Sequence, residues 1–195
     1  HIVLFDNAYQ GFASGDWNND ASAFRYFVNE EGHLPLVCQS YAKNFGMYGE
    51  RVGALNIVCE TRTEANAVHS QLQTLIRSSY SNPPIYGARI VSTILADPEL
   101  KKQWEGDVLE MASRIRHMRE GLVYRIVNAG SKKHWNHITD QIGMFAYSGL
   151  NAQQVNKLIS EYHVYMTNDG RMSIAGLNTK NIDYVAEAIH QVTKD

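Results

Sequence analysis

The hydrophobic residues in the first third of the chain occur in short, uninterrupted runs. Three runs rich in Val, Ile and Leu lie at Ile2–Phe5, Leu34–Cys38 and Ala54–Cys59. Such runs, with little alternation, are typical of strands buried on both faces of a mainly parallel sheet. Between the first two, the apolar residues of Ala21–Asn29 recur at helical spacing. This order of elements predicts an α/β fold, with a mainly parallel sheet flanked by helices.

Helical patterns separated by prolines occupy the middle of the chain. Thr63–Ser79 starts with a possible cap and continues through good helix formers. The SNPP segment at 81–84 ends that helix, because its two prolines lack backbone donors. A second helix is predicted at Ile85–Leu95, and Asp97-Pro98 marks the first turn of a third. This third helix spans about 98–128, a length that predicts a link between two domains.

Shorter elements follow the link. Gly143–Ser148 and Arg171–Ile174 have strand patterns, and Asn151–Tyr162 and Asn181–Val192 are amphipathic helices, the first with a cap at Asn151. These elements predict a small α/β lobe. We therefore divide the chain into domains at 1–115 and 116–195.

The composition excludes several classes of protein. The chain has 195 residues, 18 basic and 20 acidic, and 44% are hydrophobic, which is enough for a sizeable core. No run is long enough to span a membrane, and no segment has the pattern of a signal peptide. The basic residues are scattered, which argues against nucleic acid as a partner. Three basic groups are interpreted as solvated helix faces: Lys101-Lys102, Lys132-Lys133 and Arg114/Arg116/Arg119.

The two cysteines and the first residue bear on the cellular context. Cys38 and Cys59 lie in strand-like runs, which favours buried thiols in a reducing compartment, although a bridge between neighbouring strands stays possible. His1 leads directly into a predicted core strand without an initiator Met. We therefore expect a fragment or partial record of a longer protein.

Candidate chemistry concentrates in SYAKNFGMYGERVG, residues 40–53. Lys43 follows a predicted strand and precedes a glycine-rich bend, where backbone can approach a bulky ligand. The Ser40 hydroxyl and the Arg51 guanidinium are suited to hold an anion such as phosphate. In a partly desolvated pocket, the Lys43 amine can form a Schiff base with an aldehyde. A solvated lysine in an ordinary loop of an α/β protein is the alternative interpretation.

A second candidate group follows the first strand. Asp6 ends that strand and Tyr9 lies three residues further on. Active groups of such sheets gather beyond the carboxyl ends of strands, where both Asp6 and the Lys43 loop are expected. A carboxylate and a phenol there fit a protonated ring nitrogen and a ring oxygen. Asp6 can equally be an aspartate that starts a turn.

Four stretches together resemble one family. In chain order, DNAYQGFASG, SYAKNFGMYGERVG, SNPPIYGARIV and NDGRMSIAGL resemble the C-terminal half of the aspartate aminotransferases, which are class I, fold-type I pyridoxal-phosphate enzymes. The resemblance extends from Ile2 to the last helix. It implies that 1–115 is the C-terminal part of the cofactor-binding large domain and that 116–195 is the small domain.

The resemblance also implies a reaction and a cofactor site. The reaction is transamination between L-aspartate with 2-oxoglutarate and oxaloacetate with L-glutamate, with pyridoxal 5′-phosphate as cofactor. Lys43 would form the Schiff base with the cofactor and then act as general base. Asp6 would pair with the ring nitrogen, Tyr9 with the phenolic oxygen, and Ser40 and Arg51 with the phosphate. Activity would require the missing N-terminal half.

Three further residues are implied in substrate binding. Arg171 matches the arginine that binds the α-carboxylate, and Phe145 would line the mouth of the pocket. Arg77 matches the arginine that reaches the side-chain carboxylate from the neighbouring subunit, which implies a homodimer with shared active sites. Without the resemblance, Arg77 is equally a cation at a helix C-terminus. Arg171 is then better interpreted as a surface arginine in a turn.

Other functions stay open. One is an aromatic or broad-specificity aminotransferase of the same subfamily, and another is a non-catalytic fragment that supplies only binding or dimer contacts. We expect no metal, because His134-x-x-His137 has no Cys or acidic partner beside it. The expected compartment is the cytoplasm, with the mitochondrion as the alternative.

Overall fold

The computed structural model describes residues 1–194, and the chain forms two compact units, His1–Leu109 and Glu110–Asp195. A single helix, α5, runs from Pro98 to Asn128 and carries the division between the units. The identification of these units with a large and a small domain stays a prediction. Within the described residues, no helix combines the length and the apolar character that a membrane crossing requires.

The first unit is built on a three-stranded sheet. Its strands are β1 (Leu4–Asn7), β2 (Leu36–Ser40) and β3 (Gly53–Ile57), in the order β1-β2-β3. The helices of this unit are α1 (Trp17–Asp20), α2 (Ser22–Asn29), α3 (Arg62–Tyr80), α4 (Tyr86–Ala96) and the first part of α5. The predicted α/β class is confirmed.

The sheet is mixed. The β1–β2 pair is parallel and places Asp6 beside Cys38, whereas the β2–β3 pair is antiparallel and places Ser40 beside Gly53. The mainly parallel arrangement predicted from the sequence therefore holds for the first pair and not for the second. The physical reason is the connection after β2, which folds back as a loop instead of crossing over through a helix.

One face of the sheet is covered and the other is not. On the covered face, the Phe5 ring packs edge-on against Phe24 and Phe27 of α2, at centroid distances of 6.1 and 5.3 Å. On the opposite face, Leu4 is 57% exposed and Leu55 is 47% exposed. The prediction of strands buried on both faces is therefore wrong within the described residues.

Helix α3 begins one turn position earlier than its sequence pattern indicates. Thr61, not Thr63, is the cap, and its hydroxyl accepts a hydrogen bond of 3.1 Å from the backbone N–H of Glu64. The helix ends at Tyr80, just before Ser81, whose φ of 71° leaves the helical region. The break ahead of the two prolines is thus as predicted.

Trp104 of α5 holds the loop that follows β2. Its ring stacks on Phe45 at 4.7 Å and meets Trp17 edge-on at 5.8 Å. Its indole N–H donates a 2.7 Å hydrogen bond to the carbonyl of Asn44. This buried contact fixes the backbone immediately after Lys43.

The second unit packs helices on a small hairpin. It contains α6 (Asn136–Asp140), β4 (Phe145–Tyr147), α7 (Ala152–Tyr162), β5 (Arg171–Ser173), a 3₁₀ turn (Ile174–Gly176) and α8 (Ile182–Thr193), with β4 and β5 antiparallel. A capping box of Asn151 and Gln154 starts α7, as the sequence predicts. Its core is aliphatic, with Leu122, Ile138, Leu158, Ile174 and Ile189 essentially inaccessible.

Candidate functional site

The candidate site lies at one edge of the three-stranded sheet. Because β1 and β2 are parallel, their carboxyl ends meet at this edge, and antiparallel β3 starts there. A cavity of about 240 Å³ opens at the edge. It is lined by Asp6, Cys38, Gln39, Ser40, Ala42, Arg51, Val52 and Gly53. The structure thus brings together three of the predicted cofactor residues, which are Asp6, Ser40 and Arg51.

The strand ends are tied together beside the cavity. The Asn7 side-chain amide donates 2.8 and 2.9 Å hydrogen bonds to the side-chain oxygens of Gln39 and Gln10. The Gln39 amide in turn donates to the carbonyl of Ser40 at 2.9 Å. These bonds hold β1 and β2 in register at the point where Asp6 and Ser40 face the cavity.

Arg51 closes the loop between β2 and β3 in an unusual conformation. Its φ of 51° is in the left-handed region, which costs a residue with a side chain about 1–2 kcal/mol. Its guanidinium donates a 3.0 Å hydrogen bond to the carbonyl of Tyr48, and the loop is closed by a 3.1 Å bond from the Tyr41 N–H to the Val52 carbonyl. A guanidinium has five N–H donors, so Arg51 keeps donors for an anion while it holds Tyr48.

Lys43 lies in the turn that follows β2 and is half-buried. Its Nζ is 5.1 Å from the centroid of the Tyr9 ring. The next residue, Asn44, is buried and donates through its side-chain amide to the carbonyl of Gln10 at 3.1 Å. With the Trp104 contact, Asn44 is held on two sides. Lys43 and Tyr9 are therefore placed together by buried neighbours.

Two tyrosines near the site were not predicted from the sequence. Burial raises the pKa of Tyr41, and burial together with the neighbouring Tyr9 raises the pKa of Tyr48. Both phenols therefore stay protonated at neutral pH and available as donors. Their place in SYAKNFGMYGERVG was the available sequence signal. Cys38 and Gln39 also line the cavity, and Cys38 and Cys59 are free thiols.

The second unit holds the other pair of predicted residues. The Arg171 guanidinium lies over the Phe145 ring, 4.8 Å from its centroid. The two residues lie on paired strands, with Arg171 opposite Tyr147 and Phe145 opposite Ser173. Both side chains are exposed at this hairpin. The hairpin therefore presents a cation whose plane is supported by an aromatic ring.

The turn before Arg171 is held by a carboxylate. Asp169 accepts a hydrogen bond from the Thr167 hydroxyl and one of 3.2 Å from the backbone N–H of Arg171. The Thr167 bond, with the Arg171 backbone bond next, holds the pKa of Asp169 below its usual value. Asp169 is therefore charged at neutral pH and holds the start of β5.

Arg77 is not among the residues that line the cavity. It is exposed near the end of α3 and donates to the Ser81 hydroxyl. None of the residues of α3, all of them described, is buried. The structure thus places Arg77 on an open helix.

The side chains described here do not form a cluster of three or more metal-ligating groups. The His137 ring is instead hydrogen-bonded, through Nε2, to the carbonyl oxygen of Ser148 at 3.1 Å.

Comparisons with known proteins identify the chain's relatives. The family model for aminotransferase class I and II matches residues 1–189. The mitochondrial aspartate aminotransferase of Dictyostelium discoideum is 56% identical over 195 residues, which are 100% of this chain and 46% of that protein. The chain thus spans about half the length of the curated relatives it matches.

Two solved structures are also similar. A mitochondrial aspartate aminotransferase from Trypanosoma brucei superposes with a TM-score of 0.96 at 48% identity, over 100% of this chain and 51% of that one. An aromatic-amino-acid aminotransferase from Burkholderia pseudomallei, covalently bound to pyridoxal phosphate, gives a TM-score of 0.95 at 46% identity, over 98% of this chain and 47% of that one.

Proposed function

Since this chain belongs to the aminotransferase class I and II family, we propose that it forms part of an enzyme that transfers an amino group between dicarboxylic amino acids and 2-oxoacids. The preferred pairs are L-aspartate with 2-oxoglutarate and L-glutamate with oxaloacetate. The observation that carries the proposal is the cavity at the sheet edge, where a carboxylate, a hydroxyl and a guanidinium converge beside the Lys43 turn.

The residues present fit pyridoxal 5′-phosphate. The cofactor has an anionic phosphate ester and a ring nitrogen that can be protonated, and the cavity lining includes one cation, Arg51, and one anion, Asp6. The Ser40 hydroxyl is a further donor for phosphate. When bound, the cofactor supplies an aldehyde that captures amines and a ring that withdraws electrons from the substrate.

Lys43 has two tasks in this proposal, and both use Nζ. The amine attaches the cofactor through its aldehyde and, once the substrate has displaced it, removes the proton from the substrate's Cα. Tyr9 lies beside this nitrogen, with its ring 5.1 Å away. Its hydroxyl is assigned to the cofactor's ring oxygen, and the Asp6 carboxylate keeps the proton on the ring nitrogen.

Arg171 binds the α-carboxylate of the substrate. A planar guanidinium matches a carboxylate with two parallel hydrogen bonds, and Phe145 supports the back of that plane at 4.8 Å. The role of the ring is to hold the guanidinium in one orientation before the substrate arrives, which reduces the ordering cost of binding.

Arg77 is assigned to the substrate's second carboxylate, in the active site of a neighbouring subunit. Its open position supports this assignment, since α3 also leaves Leu75 61% exposed and Tyr80 59% exposed. Apolar side chains exposed along one helix are suited to a subunit interface. The proposed assembly is a homodimer with shared active sites.

An aromatic or broad-specificity aminotransferase is the second candidate. Its support is the similarity to the Burkholderia aromatic-amino-acid aminotransferase, which nearly equals that to the Trypanosoma aspartate aminotransferase. The rates for aspartate and for phenylalanine separate the two candidates. For the compartment, the name of the Dictyostelium relative favours the mitochondrial alternative, which subcellular fractionation of the native protein tests.

The decisive experiment uses Lys43→Ala. We expect the purified wild-type holoenzyme to absorb visible light and to keep the cofactor on Lys43 after borohydride reduction, with the adduct located by peptide mass spectrometry. Lys43→Ala should lack both the adduct and transamination. The matched control is Lys157→Ala, an exposed lysine on α7, which should retain both.

Three outcomes would contradict the proposal. One is an adduct on another lysine, another is an unchanged adduct in Lys43→Ala, and the third is a wild-type protein of half length that is colourless. The intact mass, measured on the same sample, identifies the third outcome, which would favour a non-catalytic binding fragment.

A further inference from the structure

Arg119 of α5 is a buried arginine with an unusual set of partners. It is only 3% exposed, and its guanidinium donates to three backbone carbonyls. These are the carbonyls of Ile138 at 2.8 Å, Gly143 at 2.7 Å and Phe145 at 2.6 Å. Buried cations usually pair with carboxylates, so a buried arginine that binds one backbone segment indicates a role in holding that segment.

The segment it holds leads directly into β4. Gly143 has a φ of 85°, so the chain turns sharply there and cannot continue a regular hydrogen-bonding pattern. The rigid guanidinium fork supplies partners for the carbonyls of this turn. Burial lowers the pKa of Arg119, but an arginine remains charged at neutral pH and therefore remains a donor.

The last of the three carbonyls belongs to Phe145. The ring of this same residue lies 4.8 Å from the Arg171 guanidinium. A continuous set of contacts thus runs from buried Arg119, through the backbone of Phe145 and its ring, to Arg171. The exposed part of this set depends on the buried part, because Phe145 itself is 37% exposed and has little packing of its own.

We infer that Arg119 is a positioning residue for substrate binding: it fixes Phe145, and Phe145 fixes the guanidinium of Arg171 for the α-carboxylate. This inference rests on the role proposed above for Arg171. It predicts that the loss of Arg119 weakens the binding of every amino acid and 2-oxoacid substrate, because all of them carry this carboxylate.

The test compares Arg119→Met and Arg119→Lys in the holoenzyme. In Arg119→Met we expect KM for aspartate and for 2-oxoglutarate to rise by about 10-fold to 100-fold, the range for a displaced positioning group. We expect kcat to change much less and the cofactor content to stay at the wild-type level. Arg119→Lys should recover part of KM, because an ammonium group can still donate to these carbonyls.

Arg114→Met is the matched control. Arg114 lies on the same helix and also donates to a backbone carbonyl, that of Leu177 at 2.5 Å, away from β4. KM should remain near the wild-type value in this variant. A rise in KM equal to that of Arg119→Met would show a general effect of disturbing α5 and would overturn the inference.

Phe145→Leu keeps the test decisive if Arg119→Met fails to fold. This variant removes only an exposed ring and should raise KM for the same substrates. Where both variants fold, their effects should be less than additive, since they act through one contact. An unchanged KM in Phe145→Leu, or no recovery in Arg119→Lys relative to Arg119→Met, would overturn the inference.

Arg171→Ala separates this inference from the proposed function. If Arg171→Ala raises KM and Arg119→Met does not, the positioning role alone is wrong. If Arg171→Ala leaves KM unchanged, the proposed role of Arg171 and the positioning role are both wrong.

Discussion

Asp6 and Lys43 are placed by two different kinds of contact. Asp6 is carried by strand register, because it pairs with Cys38 in the parallel β1–β2 ladder. Lys43 lies in a loop, and its position depends on the buried contacts that Asn44 makes with Gln10 and Trp104. The carboxylate therefore needs only an intact sheet, whereas the amine also needs the packing of α5 against the loop.

Asp6→Asn tests the proposed charge at the cofactor's ring nitrogen. The amide can still form a hydrogen bond but carries no negative charge, so the nitrogen loses the partner that keeps it protonated. We expect the cofactor to remain bound and kcat to fall by about 100-fold or more, as when a preorganised electrostatic partner is removed. The measurements are cofactor absorbance and single-turnover rates of proton removal from Cα-deuterated and unlabelled aspartate.

Glu50→Gln is the control for that change. Glu50 is an exposed carboxylate on the loop between β2 and β3, and it does not line the cavity. Its substitution should leave kcat close to the wild-type value. A near-normal turnover in Asp6→Asn would remove Asp6 from the proposed role.

The sequence predicted the candidate residues that lie next to recognisable strand ends. Asp6, Ser40 and Arg51 share a cavity because strand order and direction bring them to one edge. Arg119 was wrongly interpreted as part of a solvated helix face. The sequence did hold a signal, since Ile115, Arg119, Leu122 and Ile126 recur at helical spacing and are all buried.

At the scale of elements, the pattern of apolar runs located strands but not their directions. β1 and β2 were expected to be parallel neighbours, and they are. β3 is antiparallel to β2 because residues 41–52 return the chain to the same edge. No hydrophobic pattern records that return, which depends on the fit of Phe45 and Asn44 against Trp104.

The turn into β5 offers a test of one such element. Gly170 has a φ of 84°, and a Cβ there would lie 2.8 Å from the carbonyl oxygen of Leu150. Gly170→Ala should therefore lower the free energy of unfolding by about 2–4 kcal/mol, from backbone strain and overpacking together. Chemical denaturation of the purified protein, followed by circular dichroism, measures the change.

Gly176→Ala is the matched control, because nothing lies within 4 Å of a Cβ at that position. Its effect should stay within about 0.5 kcal/mol of wild type. Equal losses of stability in the two variants would contradict the steric explanation at Gly170.

At the scale of the whole molecule, the sequence predicted apolar surfaces whose cover is not in the described residues. Leu4 and Leu55 on the sheet, and Leu75 on α3, have strong apolar character and are exposed. Apolar patches of this kind mark interfaces. For α3 the proposed cover is the second subunit, and Arg77 on the same helix is the residue through which that subunit would act on catalysis.

Arg77→Ala tests this link between assembly and specificity. If Arg77 binds the second carboxylate of the substrate, its loss should lower kcat/KM for aspartate by at least about 30-fold, equivalent to about 2 kcal/mol for a charge-assisted pair. Activity with phenylalanine should change little, because that side chain has no carboxylate. Arg62→Ala, which removes an exposed arginine at the other end of α3, should leave both substrates near the wild-type rate. Mixing inactive Arg77→Ala and Lys43→Ala proteins gives the sharper result: in a dimer with shared sites, hybrids regain one site with both residues intact, and aspartate activity returns. Equal losses for aspartate and phenylalanine, or no recovery in dimers verified as hybrid, would contradict the assignment of Arg77 to a neighbouring active site.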